Sequence, residues 1–94
     1  MEFEWDPKKN KSNAAKPHID FSDATRIFEG PCLEWEDDRF DYGEVRMIAY
    51  GEVSGIVLAV VYAWRGEKRR IVSARKATGE EAKAWYEAVY GEAN

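Results

Sequence analysis

The sequence predicts an α+β domain with an N-terminal helical hairpin, an antiparallel sheet of about four strands and a C-terminal helix. Three observations carry that expectation. Apolar residues recur at helical spacing near both ends, as Ala24, Ile27 and Phe28 and again as Ala82, Trp85, Tyr86 and Val89. From Cys32 onward the period changes to two, and residues 56–64 are apolar on both faces, as a central strand requires. With 94 residues, 45% of them apolar, the chain reads as one domain over 1–94 that can bury its own core.

The elements follow in order. Phe3-Glu4-Trp5 is a short extended candidate with both aromatics on one face. Asp6 then caps a polar helix that has Pro7 at its first position, where a missing N–H costs nothing. Pro17 ends that helix near Lys16. A second helix starts near Ser22 and stops at Gly30-Pro31, and the two helices form the hairpin. Residues 32–35 make a first strand, followed by the acidic loop 36–39. The run 44–53 places Val45, Met47 and Ala49 on one face and Arg46, Ile48 and Tyr50 on the other. Tight turns at 54–55 and 66–67 bracket the apolar strand. The last strand, 68–76, carries Arg69, Ile71, Ser73 and Arg75 on one face and Arg70, Val72, Ala74 and Lys76 on the other. Thr78 and Glu81 have capping-box spacing for the final helix, which Gly91 can end.

Composition excludes several classes of function. One cysteine rules out an internal disulfide framework, and one histidine leaves a metal cage short of its usual ligands. No apolar run is long enough to cross a bilayer as a helix, and no signal-peptide pattern opens the chain. The net charge of −4 looks hostile to a polyanion. Its distribution reverses that reading. Residues 54–78 hold six basic side chains and one acidic, whereas residues 33–53 hold two basic and seven acidic. Screening acts over about 8–10 Å at physiological salt, so a phosphate meets the local patch and not the total.

Five of the nine residues 68–76 are Lys or Arg. A charged edge strand guarded against aggregation is the plain reading. A phosphate-binding face is the alternative, because arginine offers a planar fork to phosphate oxygens. Elsewhere the chemistry is thin. His18 stands alone in a loop, Cys32 reads as a small buried hydrophobe, and Asp37, Asp38 and Asp41 lack the spacing of a calcium loop.

Several stretches resemble a known family. They are Phe3-Glu4-Trp5-Asp6-Pro7 with Lys9, Asn13 and Lys16; Ile19-Asp20-Phe21 with Ala24; Gly43-Glu44-x-Arg46; Val60-Val61-Tyr62; and Arg70-Ile71-Val72-Ser73-Ala74-Arg75-Lys76-Ala77-Thr78. Together they resemble BrnT-type toxins of bacterial type II toxin–antitoxin systems over roughly positions 2 to 90. The resemblance implies a cytoplasmic endoribonuclease with a RelE-like fold that uses no cofactor or metal and inhibits translation by cleaving RNA. It also implies neutralisation by a BrnA-type antitoxin, through which alone the chain meets operator DNA, and no membrane partner. Carried over, Glu44, Arg46, Tyr62, Arg70 and Arg75 occupy the family's polar motif positions. The chemistry this implies has Arg46 and Arg75 clamp the scissile phosphate, Tyr62 or Glu44 move a proton, and Lys68, Arg69, Arg70 and Lys76 track the RNA backbone. His18, one residue from the family's histidine position, is the remaining catalytic candidate. Where the family reads Lys-His-Gly, this chain has Lys16-Pro17-His18, and Gly79-Glu80-Glu81 replaces further arginines. Both departures point to reduced toxicity. A second reading therefore keeps antitoxin binding and co-repression and loses the cleavage.

Overall fold

The computed structural model describes residues 2–15, 19–39 and 41–91. Their order is β1 (Glu2–Trp5), α1 (Pro7–Ala15), α2 (Phe21–Ala24), a 3₁₀ helix (Thr25–Glu29), β2 (Leu33–Glu36), β3 (Arg46–Val53), β4 (Ile56–Arg65), β5 (Lys68–Lys76) and α3 (Gly79–Tyr90). The expected hairpin and four-stranded antiparallel sheet are both corrected. The strands form one five-stranded mixed sheet in the order β1-β5-β4-β3-β2. β1 lies parallel to β5, with Phe3 opposite Arg69 and Trp5 opposite Ile71. The remaining pairs are antiparallel.

Among the described residues no helical hairpin forms: α1 packs on β5, and α2 packs on the 3₁₀ helix and β5. α2 is a single turn that tightens into the 3₁₀ helix, which packs on β3. Asp20 caps it by accepting from the Ser22 N–H at 2.9 Å, and Asn10 Oδ1 accepts from the Phe21 N–H at 2.8 Å. The close approach to β3 depends on Gly51. A Cβ there would stand 2.7 Å from Ile27 Cβ.

Side chains alternate across the sheet and define two faces. The first packs Phe21, Ala24 and Ile27 on Ala49, Leu58, Val60, Tyr62, Ile71 and Ala74, with Phe3, Trp5 and Met47 beside them. The second packs Trp85 of α3 on Ile48, Tyr50, Val57 and Ala59. Trp85 is 1% exposed and donates its indole N–H to Pro31 O at 3.1 Å. α3 carries the expected capping box, with Thr78 and Glu81 bonded reciprocally.

The expected face assignment of β5 is corrected at its middle. Val61 lies opposite Ser73 and Tyr62 opposite Ile71, so Val72 is an extra residue in a β-bulge. The bulge resets the alternation. Arg69, Ile71, Ala74 and Lys76 share the face under α1 and α2, while Arg70, Ser73 and Arg75 share the α3 face. No described helix is long and apolar enough to cross a membrane.

Candidate active site

α3 covers only the end of its sheet face near Tyr50, Ala59 and Val57. Toward the other end, beyond the apolar cluster under α3, cations gather on the face. Arg46 on β3 and Arg70 on β5 both lie opposite Ala63 of β4. Two strand spacings put their Cα atoms about 10 Å apart. Ala63 between them is 1% exposed, so a small side chain floors the gap between two guanidiniums. Arg65 and Lys68 oppose each other one row further on.

Counter-ions and a ring orient these groups. Arg46 Nε donates to Glu44 Oε2 at 3.2 Å, and Arg65 Nη2 lies 3.6 Å from Glu44 Oε1. The Arg46 guanidinium rests 4.1 Å from the centroid of the Tyr42 ring. That ring is held in turn by Asp37, which is 6% exposed and accepts from the Tyr42 hydroxyl at 3.3 Å. Arg39 closes on the same carboxylate at 2.7 and 3.0 Å and holds it well below the usual carboxylate range. Arg70 Nη1 donates to Glu4 Oε2 across the parallel pair at 2.8 Å. One such bond leaves a guanidinium further donors for a ligand.

Glu44, Arg46, Lys68 and Arg70 therefore come together as one group. Arg75 shares their face but stands apart. It lies opposite Ala59, four residues or about 13 Å along β4 from Ala63. There its Nη1 and Nη2 donate to Glu81 Oε1 and Oε2 at 2.8 and 3.0 Å, and Tyr50 donates to Glu81 Oε2 at 3.0 Å. The Arg75 guanidinium holds Glu81 far below its ordinary value, at about 2.

Tyr62, Arg69 and Lys76 point to the other face. Tyr62 is 2% exposed and donates to Glu34 Oε1 at 2.5 Å. Burial, then the Glu34 bond, raises its phenol above the ordinary value. Arg69 is ringed by Phe28, Trp64 and Tyr62, its guanidinium carbon 4.5, 4.6 and 5.1 Å from their centroids. Cys32 donates to Ile27 O at 3.2 Å, and burial pushes its thiol up to about 11, leaving it protonated at neutral pH. His18 lies outside the described residues.

Sequence reasoning missed Arg65, Tyr42 and Glu34. Arg65 was legible by alternation, since it shares a face with Ala63. Tyr42 acts within its own loop, on Arg46 and Asp37, whereas Glu34 acts on Tyr62, 28 residues away, which no local pattern reveals. Among the described residues, no group of three or more His, Cys, Asp and Glu is set to hold a metal ion.

Guanidiniums on the two strands flanking β4, with a carboxylate on one of them, can hold a phosphodiester and accept a proton beside it. A small mixed-sheet domain with such an open cationic face defines the class, and the family is explicit. The model of the BrnT ribonuclease toxins of type II toxin–antitoxin systems matches residues 5–81, and the chain belongs to that family. Membership makes it the ribonuclease toxin of such a pair, with an antitoxin as partner. No curated protein matches the chain.

Proposed function

We propose that the chain is a metal-independent endoribonuclease of the cytoplasm that arrests translation by cutting RNA and is silenced by a BrnA-type antitoxin. One observation carries the reading: Ala63 is buried between Arg46 and Arg70, with Glu44 on Arg46. The scissile phosphate sits over Ala63, and the two arginines neutralise the charge that grows on its oxygens. Glu44 removes the proton from the adjacent 2′-OH. That oxygen attacks phosphorus, the P–O5′ bond breaks, and the 5′-oxygen leaves with a proton from water. The products are a 2′,3′-cyclic phosphate and a 5′-OH. Lys68 and Arg65 extend the cationic track along the backbone.

On the opposite face Tyr62 and Arg69 serve the fold, Tyr62 buried and Arg69 held among Phe28, Trp64 and Tyr62, and Lys76 lies beyond the scissile site. Arg75 faces the substrate beyond the phosphate. The test is product chemistry. Purified protein incubated with RNA and excess EDTA is expected to yield 2′,3′-cyclic phosphate ends, and a BrnA-type antitoxin to abolish them. Cleavage that stops with EDTA, or that leaves 3′-OH ends, would overturn the mechanism.

A further inference from the structure

A second feature of the same sheet face lies next to the arginine pair. A cleft of about 250 Å³ opens between the N-terminus of α3 and the loop after β2. Trp35 forms its outer wall, 47% exposed, with its ring 5.2 Å from that of Tyr50 beneath it. Arg75 and Glu81 close one side, and Glu36 and Asp38 line the other.

The register ties this cleft to the phosphate position. Trp35 lies opposite Ile48, two residues along β3 from Arg46. That offset is about 8 Å between Cα atoms, one strand spacing across and two residues along, and from Ala63 it is about 12 Å, two strand spacings across and two residues along. A nucleotide whose phosphate rests over Ala63 thus brings a neighbouring base to the cleft.

An exposed indole backed by a second ring is a stacking platform for an unpaired base. Polar selection comes from the walls. Carboxylates accept N–H groups and a guanidinium donates to ring acceptors. Asp37 is already closed on Arg39 and Tyr42, and Glu36 lies opposite Met47 on the other face, so the acceptor that remains on that side is Asp38. Guanine is the base that combines adjacent N–H donors on one edge with O6 and N7 acceptors on another.

We infer that the Trp35 cleft is the base subsite of the ribonuclease, taking an unpaired guanine next to the scissile phosphate. The inference rests on the ribonuclease reading above and adds its specificity. It also gives Arg75, whose Nη1 is engaged by Glu81 and Lys76 O and whose Nη2 is engaged by Glu81, a task on the base through its remaining N–H groups, distinct from that of Arg46 on the phosphate. Removing the stacking surface costs about ten- to hundredfold in affinity at such sites.

The experiment uses oligodeoxynucleotides with a single ribonucleotide, G, A, C or U, at the cleavage position, beside the all-deoxy versions as uncleavable ligands. The parent is expected to cleave the G substrate at least tenfold faster in kcat/KM than the others. Trp35→Ala should lose that preference and bind the all-deoxy G ligand about tenfold more weakly, while Trp35→Phe keeps most of both. Trp64→Ala removes an equally exposed indole from the opposite face and should behave as the parent does. Unchanged preference and affinity in Trp35→Ala would overturn the subsite. So would a Trp35→Ala protein that cleaves normally but escapes its antitoxin, since Trp35 would then be a protein contact. If the parent cleaves none of the substrates, the ribonuclease reading fails by itself. The all-deoxy ligands then still report whether the cleft selects guanine.

Discussion

Glu81 in the first turn of α3 grips Arg75 of β5 through two parallel hydrogen bonds of 2.8 and 3.0 Å. The same carboxylate accepts from the Thr78 N–H at 2.8 Å and so caps the helix that leaves β5. One side chain thereby joins helix, strand and, through Tyr50, β3 on the far side of β4. Glu81→Gln keeps the shape and loses the charge. It should cost about 1–2 kcal/mol in urea unfolding, a discounted figure because the ion pair is partly exposed to water.

The pH dependence follows with a definite sign. Glu81 is lowered from 4.5 to about 2, first by Arg75. The unfolded chain therefore binds a proton at higher pH than the folded one. The stabilisation is complete above about pH 5 and is lost as pH falls from there toward 2. Thermal melts across that window should show the parent losing stability more steeply than Glu81→Gln.

At the alkaline end the tyrosines separate. Tyr50 is pushed up to about 12 by burial and by its bond to Glu81. Spectrophotometric titration of the folded protein should leave Tyr50 un-ionised at pH 11. Since the unfolded phenol gives up its proton near pH 10, this contribution to stability declines as pH rises from 10 through 12.

Two packing positions give opposite tests of the core. Trp85→Ala should destabilise by about 3–5 kcal/mol, since the indole is buried and its N–H reaches Pro31 O. Gly51→Ala adds one methyl and should cost about 1–3 kcal/mol, because that methyl would meet Ile27 Cβ at 2.7 Å. Chemical denaturation of both variants measures these values.

Much of this architecture is written locally. The alternation of β3 put Met47 and Ala49 on one face and Ile48 and Tyr50 on the other, as the two cores show. The capping box of α3 was equally visible, because both partners lie within four residues. What escaped depends on distant pairing. Glu2–Trp5 finds its partner at residues 68–71, and a period of two states that a strand exists without stating its neighbour or direction. The bulge at Val72 was invisible for a related reason. Nothing in Arg70-Ile71-Val72-Ser73 marks the extra residue, yet it decides which arginines face α3.

The site was legible to the same degree. Glu44, Arg46 and Arg70 were named from the family motifs and Lys68 from the basic strand, and they do gather in space. The motifs alone could not indicate that Tyr62 is buried under the opposite face or that Arg75 stands a few residues beyond the arginine pair.

The pairing of Arg46 with Arg70 over Ala63 is best tested by single-turnover RNA cleavage. Arg46→Ala and the parent would be compared in EDTA after both are shown to melt cooperatively at similar temperatures. Loss of a preorganised charge contact at a developing oxyanion costs about 10²–10³ in rate. The expected result is a fall of that size in the Arg46→Ala rate, with the site of cleavage unchanged. An Arg46→Ala protein cutting at the parent rate would contradict the assignment of this face as the seat of the scissile phosphate.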